Sequence, residues 1–513
     1  MVENIDEKTN PNNNTPAQLI GLVAGPIVAG LFLIFFDPDP QRPEVGRMAA
    51  VAALMAIWWL FEAVPLYVTA LLPVFVFPLL GIMSGKTVSS QYFNWVIFLF
   101  LGGFLVALAM ERWSLHRRIA INVLLVLGGN PYGIMLGFMV AAGFLSMWIS
   151  NTASTMMMIP VIMAVVMKLE ETSGKENVDR YSKGLLLGVA HAASIGGVAT
   201  LVGTPPNPAF LKIFSIHFPN GPEISFAQWF AFACPISIVF IAFLWFYLSW
   251  SYKPTGPFLV DKEEFRKQHK ALGPMKYEEK VVALVFTSLA ILWLTRKDIN
   301  FGLFVMPGWS RLLDNPGYFN DGATAIAMAT ILFLIPSKNE PGSRVLDWQA
   351  VNRLPWGIVL LFGGGFALAH GFKESGLSVW VGLQLDGVKV LHPFIVVACV
   401  CLLATFLTEL TSNTATTQIM LPILASLSVA AQIDPLLIMI PATISHSFAF
   451  MLPVATPPNA IVFGVGRLTV MDMAKTGLVL NLFGALLLLI AAYVLLPVIF
   501  GVDPGVFPDW AGK

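Results

Sequence analysis

The sequence predicts an all-α polytopic membrane protein built from two inverted repeats. Of its 513 residues 57% are hydrophobic and 12% are charged, whereas a soluble domain carries about 25% charged residues. The mean hydropathy is +0.75, and the apolar residues fall in runs of about 20, the length that crosses a bilayer as a helix. The net charge is zero, so composition gives no sign of a polyanionic partner.

Three sequence blocks occur twice in the same order, which identifies an internal repeat. They contain a Gly-Gly pair, the tripeptide Ser-Asn-Thr, and Thr-Pro-Pro-Asn. The first two pairs are 262 residues apart and the third pair is 252 residues apart. The blocks are 97–104 with 358–366, 150–152 with 412–414, and 203–207 with 455–459.

Apolar runs give the predicted spans in chain order. In the first half, 119–167 carries the first Ser-Asn-Thr in its middle and is predicted to enter the membrane and turn back. In the second half, 391–430 does the same around the second copy. The remaining spans are predicted at 17–36, 47–64, 66–83, 93–110, 184–211 and 228–250, then at 281–295, 321–336, 356–371, 435–464 and 476–500. Polar loops are expected at 168–183, 251–280 and 337–355.

Lys and Arg set the predicted orientation, because cytoplasmic loops carry an excess of them. With eleven crossings, two re-entrant hairpins and a cytoplasmic N-terminus, the inside segments hold 20 of the 30 basic residues. The C-terminus is then extracytoplasmic. The span ending at Met110 runs inward and its copy ending at His370 runs outward, so the repeats are inverted. Inverted repeats with broken helices are typical of secondary transporters, whose site lies where the repeats meet.

The Thr-Pro-Pro blocks cannot be continuous helix, because proline lacks the N–H donor and restrains the residue before it. Carbonyl groups freed inside the membrane are tolerated only where they line a cavity or bind something. Hard cations prefer oxygen ligands, and carbonyl, Ser and Asn oxygens without a carboxylate suit a monovalent ion such as Na⁺. The alternative for Ser and Thr is local hydrogen bonding to their own helix.

The motifs also lack basic residues: no Lys or Arg lies within 145–160, within 407–422 or in the two breaks. Helix N-termini and Ser, Thr and Asn donors could still hold an anion. Bound cations would then supply the balancing charge. Cation and anion would bind interdependently, which is the basis of symport.

Paired Ser-Asn-Thr hairpins, each followed by a Thr-Pro-Pro break, resemble the divalent anion:sodium symporter (DASS) family. Its members include bacterial dicarboxylate transporters and animal di- and tricarboxylate carriers. The resemblance extends over nearly the whole chain from about residue 17. It implies a homodimer in the bacterial inner membrane and a Na⁺-driven elevator, in which a transport domain moves against a scaffold.

The resemblance also implies which residues bind. The substrate carboxylates would contact Ser150, Asn151 and Thr152 in one repeat and Ser412, Asn413 and Thr414 in the other, with Thr456 and Pro457 lining the pocket. At least two Na⁺ sites are expected. The first would be framed by Ser146, Ser150, Asn151 and the carbonyl of Gly203, and the second by Thr408, Thr411, Asn413 and the carbonyl of Ala455.

Scaffold and transport domain would each draw on both repeats. The amphipathic stretches after Met110 and after Gly371 would link them as arms. The expected division is a disordered cytoplasmic tail (1–16), scaffold (17–118), transport domain (119–250), cytoplasmic linker (251–280), scaffold (281–385), transport domain (386–500) and extracytoplasmic tail (501–513).

Glu409 lies three residues before the second Ser-Asn-Thr, where the first repeat has Met147. A carboxylate inside the membrane is a candidate proton or cation site. The alternative is a structural role, such as pairing within the hairpin.

Enzyme functions find no support in the sequence: Gly-x-Ser-x-Gly, His-Glu-x-x-His and the Walker A pattern are all absent. The hypothesis is Na⁺-coupled symport of C4 dicarboxylates such as succinate, malate or fumarate. Citrate or another tricarboxylate, sulfate, dicarboxylate exchange and an anion channel remain as alternatives.

Overall fold

Nearly all regular structure in this chain is α-helix, as the sequence predicts. A computed structural model describes residues 15–254, 262–300 and 305–512. Within those residues the strands form one short antiparallel pair, β1 (Ile299–Asn300) and β2 (Val305–Met306). Seven helical segments of the described chain are long and apolar enough to cross a membrane. The all-α membrane fold is therefore confirmed, while the count of eleven crossings stays a prediction.

The first half of the chain ends with a helical hairpin, a broken helix and one long helix. Its helices are α1 (Pro16–Phe35), α2 (Glu44–Leu60), α3 (Leu66–Thr69), α4 (Leu72–Leu79), α5 (Gly85–Gln91), α6 (Trp95–Arg112), α7 (Leu115–Leu127), α8 (Pro131–Ser146), α9 (Asn151–Ser173), α10 (Lys175–Gly197), α11 (Pro206–His217) and α12 (Phe226–Ser251).

The second half repeats this order. Its helices are α13 (Glu263–Ala271), α14 (Tyr277–Leu294), α15 (Asp321–Leu334), α16 (Trp348–Val351), α17 (Trp356–Ser375), α18 (Leu377–Gln384), α19 (Pro393–Thr408), α20 (Asn413–Ala431), α21 (Pro435–Ser445), α22 (Pro457–Gly464) and α23 (Val470–Phe500). Short 3₁₀ turns lie at Trp309–Leu312, Pro316–Tyr318, Asp386–Val390 and Asp509–Ala511.

Helices α6 and α17 are equivalent in the two repeats and touch each other at equivalent residues. The rings of Phe100 and Phe362 are 262 positions apart in sequence and pack edge to face with centroids 5.2 Å apart. A local twofold axis between the repeats therefore passes close to this pair. Beside it, Gly102 packs against Ala325 of α15 and Gly364 packs against Ala70 after α3, with no room for a Cβ at either glycine.

A fourth repeated block appears only in the structure. Residues 57–60 and 291–294 read Ile-Trp-Trp-Leu and Ile-Leu-Trp-Leu. The Trp59 indole donates to the carbonyl of Leu66, where α3 begins, and the Trp293 indole donates to that of Asp321, where α15 begins, both at 2.9 Å. The block escaped the sequence analysis because it is short and its offset, 234 residues, differs from that of the other blocks.

Ion pairs bring the predicted inside loops together on one face. Arg112 bonds Asp347 and Glu340, both at 2.6 Å, and Arg118 bonds Glu279 at 2.5 Å. These contacts join 111–118 to the first turn of α14 and to the loop after α15. Two further pairs join 168–183 to 464–475, namely Arg467–Glu170 at 2.7 Å and Lys183–Asp472 at 3.1 Å. The assignment of this face to the cytoplasm stays a prediction.

The opposite face collects the segments predicted outside. Lys373 Nζ donates to the carbonyl of Ile216 at 2.6 Å, and Arg42 donates to the carbonyl of Glu374 at 3.3 Å. Trp510 in the C-terminal segment packs edge to face on Phe214 at 5.6 Å. These contacts hold predicted outside segments together, and their assignment to the extracytoplasmic side stays a prediction.

Three of the predicted boundaries are wrong. The polar loop expected at 168–183 is helical on both sides of Gly174, whose φ of 83° makes the turn between α9 and α10. The linker expected at 251–280 contains α13 and the start of α14, while 255–261 lie outside the described residues. The span predicted at 66–83 divides into α3 and α4. Charged residues such as Lys and Glu favour helix as readily as loop, so polarity alone misplaced the first two boundaries. The third run is apolar, and Pro73 lies in the first turn of α4, a position where proline is typical of the start of a new helix.

The N-terminal tail expected at 1–16 lies outside the described residues as far as residue 14. Thr15 and Gln18 form a capping box that begins α1, because each satisfies a backbone N–H left free at the helix start. Thr15 and Pro16, which the prediction included in the tail, therefore belong to the start of α1.

Glu278, in the first turn of α14, holds the 337–340 loop in place. Its buried carboxylate accepts from Ser337 Oγ at 2.7 Å, Lys338 N at 2.6 Å and Asn339 N at 2.8 Å, and from the Asn339 amide. Burial raises the pKa of this carboxyl, but the bonds from Asn339 and Ser337 outweigh it and lower the pKa to about 2. The carboxylate is therefore ionised throughout the neutral range.

Glu278→Ala is expected to destabilise the fold by about 2–3 kcal/mol, since it leaves buried backbone donors without partners. Thermal unfolding in detergent measures the change. Glu171→Gln is the matched control, because Glu171 pairs with Lys168 on an exposed surface where ion pairs contribute little. Equal melting temperatures for the two variants would show that Glu278 does not hold the loop.

Candidate sodium and substrate site

The first hairpin places its Ser-Asn-Thr motif at the start of a helix. Helix α8 ends at Ser146, a four-residue turn follows, and α9 begins at Asn151. Ser150 caps α9 by accepting from the N–H of Ala153 at 3.1 Å. The Ser146 hydroxyl donates to Asn151 Oδ1 across the turn. The motif therefore combines a helix N-terminus, which favours anions, with side-chain oxygens directed back at the hairpin.

The first break, between α10 and α11, is held by Asn207 and Thr200. Asn207 Nδ2 donates to the carbonyls of Val198 at 3.2 Å and Thr200 at 2.7 Å. The Thr200 hydroxyl donates to the carbonyl of Met147 at 2.5 Å and accepts from Gly203 N at 3.1 Å. These bonds replace the helical ladder and attach the unwound segment to the hairpin turn.

Two glycines of the break bring four oxygens around one small space. A Cβ on Gly203 would clash with the carbonyl of Gly197 and lie 2.8 Å from that of Ser146. A Cβ on Gly197 would lie 2.6 Å from Asn151 Oδ1 and 3.1 Å from the carbonyl of Gly203. Three of these residues, Ser146, Asn151 and Gly203, are members of the predicted first sodium site. Neutral oxygens are the ligand type that a hard cation prefers.

Gly197 is the member that sequence reasoning missed. The signal was present, since a glycine beside an unwound segment marks close approach of backbone groups.

The second hairpin repeats the arrangement with threonine in place of serine. Helix α19 ends at Thr408, whose hydroxyl bonds Asn413 Oδ1 at 2.6 Å and also lies 2.9 Å from the carbonyl of His446 in the second break. The hydroxyls of Thr411 and Thr416 bond each other, and Thr411 donates to the carbonyl of Leu407 at 2.9 Å. Ser412 precedes α20 but makes no side-chain cap bond.

The second break, between α21 and α22, is held by an asparagine equivalent to Asn207. Asn459 Nδ2 donates to the carbonyls of Ala449 at 3.1 Å and Leu452 at 3.0 Å. Thr456 caps α22 by accepting from Asn459 N at 3.3 Å, and Pro457 is the first residue of that helix. Both asparagines belong to the repeated Thr-Pro-Pro-Asn block, and both were omitted from the predicted site.

The structure brings together only some of the residues of the predicted second sodium site. Thr408 and Asn413 are in direct contact, and Thr411 lies in the same turn. Ala455 lies in the second break, where its N–H donates to the carbonyl of Leu452 at 3.2 Å. A role for its carbonyl in ion binding stays a prediction.

Glu409 is a structural acceptor, but not within the hairpin as the sequence analysis suggested. Its buried carboxylate accepts from the N–H groups of Phe450, Met451 and Leu452 at 2.7–3.2 Å. Asn481 of α23 donates to it at 2.7 Å. Glu409 therefore fixes the second break to the hairpin turn, the function that Thr200 and the Met147 carbonyl serve in the first repeat.

Basic side chains make no recorded hydrogen bond or ion pair with either hairpin turn or either break in the described parts of the chain. Within the same residues there is no group of three or more His, Cys, Asp and Glu that could hold a metal ion. The four oxygens near Gly197 and Gly203, from Ser146, Asn151 and the two glycines, form what we call the cage, and they are therefore neutral. A multivalent metal site would require carboxylate, thiolate or imidazole ligands, so the arrangement suits a monovalent cation.

Two helical hairpins and two broken helices, related by a local twofold axis, define a membrane transporter with inverted repeats. Residues 17–501 match the family described as "Sodium:sulfate symporter transmembrane region". The chain belongs to this family, which confirms the resemblance drawn from its motifs. Because the family and the relatives below are transporters, the protein is a transporter and not an enzyme.

Curated relatives match over nearly their whole length. A protein of Staphylococcus saprophyticus named "Sodium-dependent dicarboxylate transporter SdcS" is 41% identical over 505 residues, which are 97% of this chain and 95% of the relative. The protein of the same name from a strain of Staphylococcus aureus is 42% identical over 498 residues, which are 95% of this chain and 92% of the relative.

Solved structures support the fold alone. MtrF of Neisseria gonorrhoeae, from a class described as antimetabolite efflux pumps, aligns with a TM-score of 0.58 and 12% identity over 96% of this chain and 98% of its own. The YdaH transporter of Alcanivorax borkumensis aligns with a TM-score of 0.52 and 12% identity over 88% and 98% of the two chains.

Gly203→Ala is expected to reduce sodium-dependent uptake at least about tenfold. Its Cβ would enter the space between the cage carbonyls. A loss of about 1.4 kcal/mol of ion-binding free energy already lowers the affinity tenfold. Gly464→Ala is the matched control, since a Cβ at this glycine of α22 meets no atom within 4 Å. Uptake into proteoliposomes at several sodium concentrations compares them. Equal sodium dependence in both variants would place the ion elsewhere.

Proposed function

We propose that this protein imports C4 dicarboxylates such as succinate, malate or fumarate by symport with Na⁺. The observation that carries the proposal is the cage of neutral oxygens from Ser146, Asn151, Gly197 and Gly203 beside the first Ser-Asn-Thr. The names of the staphylococcal relatives, sodium-dependent dicarboxylate transporters, support the same substrate class.

The anion would be held between the two hairpin turns. Helices α9 and α20 both begin at the asparagine of a Ser-Asn-Thr motif, so each presents free N–H groups and the positive end of its dipole. One carboxylate would contact 150–152 and the other 412–414, with Thr456 and Pro457 beside them. Because the two helix N-termini come from different repeats, two anionic groups separated by a short carbon chain fit the pair better than one.

Sodium would be required because the anion finds no basic partner. The first ion would occupy the cage in the first repeat. The second would bind near Thr408, Thr411, Asn413 and the carbonyl of Ala455. Asn151 and Asn413 belong to both the ion and the substrate sets, so binding of either ligand orders the other's site, which is thermodynamic coupling. Two sodium ions balance a dianion, and further ions would make transport electrogenic.

An elevator movement is the mechanism we propose, with 119–250 and 386–500 as the transport domain. The pairs Arg467–Glu170 and Lys183–Asp472 join the two halves of that domain, so they can move as one body. The scaffold parts, 17–118 and 281–385, would form a homodimer in the plasma membrane. The N-terminus would be cytoplasmic and the C-terminus extracytoplasmic.

The alternatives differ in what replaces the ion or the substrate. An exchanger that works without sodium would need a basic side chain at the site, and none contacts it in the described chain. Citrate and sulfate stay open as substrates, because the same donors could hold either anion. An anion channel would give flux that neither saturates nor depends on a sodium gradient.

Labelled succinate is expected to enter proteoliposomes only when a sodium gradient is present, because the anion needs the charge of the ions. Unlabelled malate and fumarate should compete strongly, and citrate and sulfate weakly. Choline in place of sodium is the control. Equal accumulation in choline medium would exclude symport, and stronger competition by citrate would change the substrate class.

Asn151→Ala and Asn413→Ala are each expected to abolish uptake, since each removes an amide shared by substrate and ion. Asn315→Ala, at an exposed residue before the 3₁₀ turn Pro316–Tyr318, is the matched control. Size-exclusion chromatography should show the same folded dimer for all three variants. Normal uptake by either site variant would remove that asparagine from the site.

A further inference from the structure

Gln418 is a fully buried glutamine whose amide makes no hydrogen bond. Its exposure is 0%, and neither Oε1 nor Nε2 has a partner within the described residues. Leaving a buried donor or acceptor without a partner costs more than a hydrogen bond contributes, so such groups are rare in native proteins. The residue lies on α20, the helix that begins with the second Ser-Asn-Thr.

Helical geometry directs this amide toward the candidate anion site. Gln418 is four residues after Thr414, so the two side chains share a face with Cβ atoms about 5–6 Å apart. Side chains on an α-helix lean toward its N-terminus and cover the preceding turn. The Gln418 side chain therefore extends in the direction of the first turn of α20. The Thr414 hydroxyl, at the same level, has no recorded partner and is not sealed from solvent.

A glycine of the neighbouring helix makes room for the amide. Gly365 of α17 packs against Gln418, and a Cβ at that glycine would overlap the amide carbon and oxygen. This explains the second glycine of the repeated Gly-Gly pair in α17. The equivalent glycine in α6, Gly103, packs against Val202 instead, so the space beside α20 is particular to the second repeat.

The first repeat has no counterpart to this amide. The residue equivalent to Gln418 is Met156, which is 57% exposed and carries no hydrogen-bonding nitrogen or oxygen. A structural difference between the repeats, as at Glu409 and Met147, comes with hydrogen-bond partners, whereas the Gln418 amide has none within the described residues. The asymmetry instead matches a requirement that only one end of the bound molecule imposes.

We propose that Gln418 is a substrate-binding residue whose Nε2 donates a hydrogen bond to the carboxylate held at Ser412–Thr414. This rests on the proposed dicarboxylate function and extends the site beyond the two Ser-Asn-Thr motifs. The amide stabilises the carboxylate without adding charge, which is consistent with a site balanced by sodium ions alone. It also makes the two ends of the pocket chemically different, so an asymmetric anion has a preferred orientation.

Gln418→Met separates binding from folding, because methionine has nearly the shape of glutamine and removes the unpaired polar atoms. The melting temperature should stay the same or rise, since an apolar group of equal shape avoids the cost of burying an amide. The KM for succinate should rise about 10- to 100-fold, the value of a hydrogen bond to a charged group. The sodium activation curve at saturating succinate should not change.

Gln418→Glu is a second variant of the same shape. A carboxylate at this position would repel the dianion, so we expect a larger rise in KM than for methionine. Met156→Leu, at the equivalent position of the first repeat, is the control and should transport like the wild type.

An unchanged KM in Gln418→Met, with Asn413→Ala inactive, would overturn the role of Gln418 and leave the proposed function intact. A fall in melting temperature with an unchanged KM would overturn it equally, by showing a structural role. Absence of sodium-dependent succinate uptake in the wild type would instead contradict the proposed function itself. The KM, the melting temperature and the wild-type uptake, measured on preparations purified in the same way, therefore distinguish the two failures.

Discussion

The structure depends on satisfying backbone polar groups where two helices unwind at the level of the hairpin turns. A broken helix in an apolar interior exposes N–H and C=O groups that water cannot reach, and each costs free energy if left alone. Asn207 and Asn459 meet this cost in the same way, since each amide donates to two carbonyls of its own unwound segment. The carbonyls of Gly197 and Gly203 lie beside Ser146 and Asn151 of the hairpin. The proposed ion site is thus the part of the break that faces the hairpin turn.

The two repeats attach the unwound segment to the hairpin turn in different ways. In the first repeat the hairpin turn and the break are joined by one neutral bond, from Thr200 to the carbonyl of Met147. In the second repeat the carboxylate of Glu409 collects three backbone N–H groups and the amide of Asn481. The second break is therefore attached to its hairpin turn by four donors to one side chain, where the first has a single bond. The two repeats share the same order of helices but differ in the hydrogen bonds that join the hairpin turn to the break.

The sequence predicted the fold well where a motif occurred twice or where a run of residues was strongly apolar. Both hairpins and both breaks lie where their motifs placed them, because proline and polar tripeptides in apolar runs leave few alternatives. It failed at 168–183, where charged residues form helix, and at the Trp59 and Trp293 pair, which only structure aligns. In the site it identified Ser146, Asn151 and Gly203 but not Gly197, Asn207 or Asn459. The position of a backbone carbonyl cannot be predicted from residue type. The role of Asn207 and Asn459 becomes clear only when the structure shows which carbonyls accept their hydrogen bonds.

Charge and geometry together limit what the site can bind. Helix N-termini carry only about half a unit of positive charge each, so two of them cannot neutralise a dianion in an apolar interior. A nearby Lys or Arg would supply the missing charge permanently and would also bind the anion when no ion is present. The neutral oxygens of the cage supply it only while a cation occupies them. A site built in this way releases its anion when the cation leaves, and this dependence is what converts an ion gradient into accumulation of the substrate.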